Sequence, residues 1–209
     1  MKRIEQLIAT YPDLERCTPD IEAAFQILSN CYRKGGKVLT CGNGGSAADA
    51  EHIVGELMKG YLLKRSVSDE IRARLVSASP EDDDYLASRL QGALPAISLV
   101  SQTSLLSAIS NDTAADMVYA QQVYAYGQEG DVLIGLSTSG NSRNVILAMQ
   151  VARALGLRTI GLTGPTGGAL KPLCEVCICV PAENTPAIQE RHLPIFHVLC
   201  AMLEEEFFI

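Results

Sequence analysis

Five short apolar runs are spaced through this chain with helical patterns between them, and that alternation limits the folds open to it. The runs are Val38–Cys41, 95–100, 131–136, 158–163 and 175–180. They read as short buried strands. Between them apolar residues recur at three- and four-residue intervals, as in Val145, Ile146, Ala148, Met149, Ala152 and Leu155. Strands alternating with helices predict a parallel sheet covered on both faces, an α/β three-layer αβα sandwich. The 209 residues suit one domain spanning 1–209.

The segment 1–35 reads as helical. Ile21, Ala24, Phe25, Leu28, Cys31 and Tyr32 make one stripe, with Thr18 expected as the cap, Pro19 at the first position and Gly35-Gly36 as the stop. The stretch 58–94 reads as an insertion. It carries Lys59, Lys64, Arg65, Arg72 and Arg74, then Glu81 to Asp84, then Arg89. Two short helices are expected, around 71–75 and 85–90, separated by Ser79-Pro80. Charge runs are usually solvated, while long loops in compact domains are often lids. A last helix is expected from near Gln189 to Phe208.

A formal charge of −7 with no basic stripe argues against a nucleic-acid surface. No apolar run approaches the roughly 20 residues that span a bilayer. The charged start, Met1-Lys-Arg-Ile-Glu-Gln, has no secretory pattern, so a cytoplasmic location is expected. Seven cysteines, an odd number, fit reduced thiols acting as small hydrophobes. Cys174-x-x-Cys177 is a weak metal or redox signal. Cys177 and Cys179 alternate with Val176, Ile178 and Val180, which a buried strand explains better.

Two strand ends open into small, polar loops. The first is Gly42-Asn43-Gly44-Gly45-Ser46, where glycine permits positive φ and close approach, and Ser46 is expected to cap a helix. The second is Ser137-Thr138-Ser139-Gly140-Asn141-Ser142. Ligands of such sheets sit beyond the carboxyl ends of the strands. Hydroxyls and free N–H groups before a helix suit a phosphate monoester. Four residues apart after the first loop stand His52 and Glu56. That spacing serves a general base or metal ligands, and equally an exposed i,i+4 pair. The only other histidines are His192 and His197.

Cys41-Gly-Asn-Gly-Gly-Ser46, Ser137-Thr-Ser-Gly-Asn-Ser142 and Gln189-Glu-x-His192 with His197 resemble the sugar isomerase (SIS) family, in particular its phosphoheptose isomerase branch. The resemblance runs from about residue 20 to the C-terminus, apart from 58–94. It implies a flavodoxin-like, five-stranded parallel sheet and a ketose–aldose isomerase acting on a sugar phosphate such as sedoheptulose 7-phosphate. Asn43, Gly44, Gly45 and Ser46 match the first substrate loop, Asn111 and Asp112 a substrate-binding pair, and Ser137, Thr138, Ser139 and Ser142 the phosphate loop. His52, Glu56, Gln189 and His197 match a zinc site, with Gln189 also against the substrate. Glu56 and His197 match the catalytic base and acid. A homotetramer with sites completed at subunit interfaces is implied as well. The alternative is a non-catalytic phosphosugar-binding protein like the SIS partner of the bacterial replication initiator, which lacks the acidic residue and final histidine retained here.

Three features depart from the family pattern. The 58–94 segment is long, and Pro186-Ala187 replace polar residues before Gln189. Pro194 falls between Gln189 and His197, so the helix either starts near Glu190 or kinks.

Overall fold

The five apolar runs form five strands in the computed structural model, which describes residues 2–209. They are β1 (Val38–Cys41), β2 (Ala96–Ser98), β3 (Val132–Ser137), β4 (Arg158–Thr163) and β5 (Val176–Cys179). All neighbours pair in parallel, in the order β2-β1-β3-β4-β5. This is the flavodoxin-like order, in which connections depart in opposite directions from β1 and β3. Cys41 lies opposite Gly135, so both strands end at the same edge.

Along each strand successive side chains point to opposite faces. Val38, Ile134, Leu136, Ile160, Leu162 and Ile178 join one core cluster, while Leu39, Cys41 and Leu133 join the other. The helices, in chain order, are α1 (Lys2–Thr10), α2 (Thr18–Arg33), α3 (Gly45–Met58), α4 (Asp69–Ala78), α5 (Asp83–Arg89), α6 (Thr103–Asp112), α7 (Val118–Tyr126), α8 (Arg143–Ala154) and α9 (Thr185–Phe208). Side chains of α1, α2, α3 and α9 fill the first cluster, and those of α6, α7 and α8 the second. The sheet is therefore covered on both faces, as expected.

Several helix starts differ from the sequence-based expectation. A 3-10 helix, Pro12–Cys17, runs directly into α2, so Thr18 is its first residue and not its cap. Ser46 lies buried in the first turn of α3, and Gly44 occupies the cap position at φ 58°. That left-handed conformation is open to glycine at little steric cost. Helix α9 begins at Thr185, earlier than expected, because the Asn184 side chain accepts from the Ala187 N–H at 3.0 Å and Pro186 suits a first turn. Pro194 is thus inside the helix, where it cannot donate to the carbonyl of Glu190.

The charged segment does form two helices, α4 and α5. Helix α4 buries no residue, and α5 buries only Ala87. Arg65 is the exception to the solvated character of this run. It is 1% exposed and donates to Glu204 of α9 at 2.7 Å. Among the described residues no helix is long and apolar enough to cross a membrane.

Helix α9 is fastened to the sheet by His192, which is fully buried and bonds the Thr163 carbonyl of β4 through Nε2 at 3.3 Å. Burial pushes its imidazole down to about 4, while the Thr163 carbonyl bond opposes the shift. The unfolded chain then binds a proton below about pH 6.5 that the folded chain refuses until about pH 4. Stability falls as pH drops through that window. The loss is about 2 kcal/mol by pH 5 and roughly 3 kcal/mol below pH 4. A His192→Gln variant should lose that much less between pH 7 and pH 5 in urea melts; equal pH slopes would contradict the assignment.

Candidate active site

Helices α3 and α9 pack through Ile53, Leu57, Phe196, Leu199 and Leu203, all in one apolar cluster. The polar residues beside this stripe are carried to the rim of the seam. His52 and Glu56, one turn apart on α3, bond through Nε2 and Oε1 at 3.0 Å. His197 of α9 brings its Nε2 to 3.3 Å from that of His52. One ligand atom from each of these three side chains lies within 4.8 Å of the others. Phe196 holds the His52 ring edge-on at 5.2 Å between centroids, and Tyr61 lies tilted over His197 at 5.6 Å.

Burial lowers the His197 imidazole below its ordinary value, the neighbouring His52 lowers it further, and Glu56 opposes both. A neutral His197 at neutral pH follows. The second carboxylate oxygen of Glu56, Oε2, is buried without a partner among the described residues. Asp49, one turn before His52 on α3, has the same condition at Oδ2, and burial raises its carboxyl against the pull of His52. Its place three residues before His52 is the one signal for it in the sequence.

Gln189 does not join the cluster by hydrogen bonding. Its amide lies over Gly45, where an added Cβ would stand 2.5 Å from Nε2. Gly45 thus provides the close approach expected of the first loop, and Gly44 provides the positive φ.

The two strand-end loops meet. Asn43 and Asn144 exchange reciprocal amide bonds at 2.8 and 2.9 Å, and Tyr119 donates to the Gly42 carbonyl at 2.5 Å. Asn144 and Tyr119 escape sequence reasoning, because nothing local marks a residue as bonding a loop from a distant helix. In the second loop the Ser137 and Ser142 hydroxyls lie 2.9 Å apart, and Ser139 Oγ accepts from the Asn141 N–H. Thr138 contributes its carbonyl to the Gly164 N–H. Ser142 occupies the cap position of α8 without a side-chain cap bond, leaving first-turn N–H groups for an anion. The loop is braced from outside by Ala169, whose N–H bonds Asn141 Oδ1, and by Leu170, whose N–H bonds the Gly140 carbonyl.

Asn111 and Asp112 close α6, are exposed, and bond one another at 2.7 Å. The cysteine strand is β5, with all seven cysteines free thiols.

The SIS domain family profile matches residues 4–81 and 85–164. A phosphoheptose isomerase from Geobacter sp. (strain M21) is 41% identical over 192 residues, covering 92% of this chain and 86% of that protein. One from Rhodospirillum rubrum is 41% identical over 189 residues, covering 90% and 87%. Among solved structures, a phosphoheptose isomerase from Neisseria gonorrhoeae superposes with a TM-score of 0.70 at 33% identity, covering 95% of this chain and 98% of that one. Another, from Francisella tularensis, gives 0.73 at 31% identity, covering 98% and 93%. With the strand order, the paired loops and the His–Glu–His cluster, these matches make the chain a member of the SIS domain family, in its phosphoheptose isomerase branch.

Proposed function

We propose that this protein is an aldose–ketose isomerase that converts sedoheptulose 7-phosphate to D-glycero-D-manno-heptose 7-phosphate. The observation that carries the reading is the convergence of Glu56 with His52 and His197 beside two phosphate-type loops. It comes in a chain 41% identical to phosphoheptose isomerases. Ser137, Thr138, Ser139 and Ser142, with the first turn of α8, hold the phosphate and fix the sugar's reactive end against α3. Asn43, Gly44, Gly45, Ser46, Asn111, Asp112 and Gln189 complete the sugar contacts.

The Glu56 carboxylate takes the proton from the carbon next to the carbonyl. His197 gives a proton to the carbonyl oxygen, and an enediol forms. Glu56 then returns its proton to the former carbonyl carbon while His197 recovers one from the adjacent hydroxyl. A carboxylate paired with an imidazole performs the same chemistry in triosephosphate isomerase, on a different fold. Such proton transfer contributes on the order of 100- to 10,000-fold.

The donor set fits zinc. Two imidazole nitrogens and a carboxylate oxygen converge, and Glu56 Oε2 is a buried acceptor with no other partner among the described residues. His52, Glu56 and His197, with Gln189 as a fourth residue, would hold the ion. When bound, it polarises the substrate carbonyl. A cytoplasmic homotetramer with sites shared between subunits accompanies this reading. Two observations support the shared sites: Asn111 and Asp112 are exposed on α6, and the half-buried Ile8 and Phe25 line apolar hollows along α1 and α2.

Glu56→Gln should lower kcat on sedoheptulose 7-phosphate by at least about 100-fold with KM nearly unchanged. Turnover equal to the unmodified protein would remove Glu56 as base. Tight sugar-phosphate binding by the unmodified protein, without turnover of any ketose phosphate, would establish the sensor reading instead. Gly45→Ala places a methyl 2.5 Å from the flexible Gln189 amide and displaces it. Zinc affinity by competition with a chelating dye should then fall about 10-fold or more while the melting temperature holds. Undiminished affinity would take Gln189 out of the ligand set.

A further inference from the structure

The last turn of α3 is held by a side chain to which the chemistry above gives no part. Arg65 donates in three directions: Nε to Glu204 Oε1 at 2.7 Å, Nη1 to the Leu57 carbonyl at 2.7 Å, and Nη2 to the Glu56 carbonyl at 2.9 Å. Helix α3 ends at Met58, so these carbonyls belong to the set that a helix leaves without internal partners. The amides that would have continued the helix are turned elsewhere. Gly60 donates to the Gln91 side chain, and Tyr61, Leu62 and Leu63 donate to Glu204 at 2.8, 2.8 and 3.1 Å.

Glu204 therefore accepts four bonds while 1% exposed. Burial pushes its carboxyl up, but the Tyr61 and Leu62 amides and Arg65 outweigh it and hold the group below the usual range. Phe208 covers the guanidinium at 4.8 Å. On α9, Glu204 stands seven residues after His197, two turns along the same face. Arg65 and Glu204 thus join the main chain of Glu56 to the face of α9 that carries His197.

We infer that Arg65 and Glu204 are positioning residues that set the distance and register between Glu56 and His197. This rests on the reading of those two as base and acid. A buried ion pair is poor evidence of stabilisation by itself, since its desolvation offsets its attraction. What this one supplies is a planar fork with three fixed directions, which a lysine ammonium cannot reproduce. Misplacement of a reacting group by about 1 Å costs on the order of 100-fold in rate. The phosphate loop lies on β3 and α8, outside the clamp, and the sugar contacts on α3 and α9 stand at the N-terminal ends of those helices, away from Arg65 and Glu204.

The test is Arg65→Lys, compared with Leu14→Ala as a stability control. Leu14 is fully buried in the N-terminal 3-10 helix, far in sequence from the site. Arg65→Lys should lower kcat on sedoheptulose 7-phosphate about 10- to 100-fold with KM within about threefold, well beyond the control at equal loss of melting temperature. Hydrogen exchange of the amides at 57–63 should quicken in Arg65→Lys and not in Leu14→Ala. A kcat no lower than that of the control, or unchanged exchange, overturns the positioning role. An inactive unmodified protein would instead overturn the isomerase reading, while the exchange result would still decide whether the clamp exists.

Discussion

Strands β1 and β3 run parallel, and the geometry of the site follows from that pairing. Parallel neighbours cannot be joined by a tight turn, so each connection is a crossover and all strands finish at one edge. Cys41 opposite Gly135 puts the loops at 42–46 and 137–142 side by side, although they are nearly a hundred residues apart. Asn43 and Asn144 then lock them with two reciprocal bonds. A polar contact of that kind, between the first loop and the first turn of α8, survives only because the strands beneath have already fixed the distance.

The second requirement is the seam between α3 and α9. Its interior is apolar, and each fully buried leucine or isoleucine there contributes about 1.5–3 kcal/mol. That packing sets the helix axes, and the polar residues at the rim inherit their positions from it. His52 Nε2 lies 3.3 Å from His197 Nε2 and 3.0 Å from Glu56 Oε1, so the three side chains meet at one nitrogen. Burial, with the nearby His52, lowers the His197 imidazole toward its neutral form. Where α3 runs out of internal hydrogen bonds, Arg65 and Glu204 take over from the helix and tie its end to α9.

Much of the fold was legible in the sequence because burial of a parallel strand leaves an unmistakable apolar run. Val38–Cys41 and Arg158–Thr163 match the reading residue for residue. Helix starts were less legible. Thr18 and Ser46 have the chemistry of caps, yet a preceding 3-10 helix and a left-handed Gly44 took those positions, because main-chain geometry upstream outranked side-chain preference. Arg65 reads as one more charge in a solvated run, since its partner Glu204 is 139 residues away.

Local patterns were enough to define the strands, the two glycine- and serine-rich loops and the candidate pair His52 and Glu56, because each has a local physical cause. The family resemblance, also carried by the residues alone, named His197 as the partner. Tertiary packing settled the rest: His197 reaches His52, Gln189 lies over Gly45, Asn144 joins the loops and Arg65 is buried. Those facts depend on distances between residues far apart in the chain. Sheet order and helix packing set such distances, and no stretch of sequence contains them.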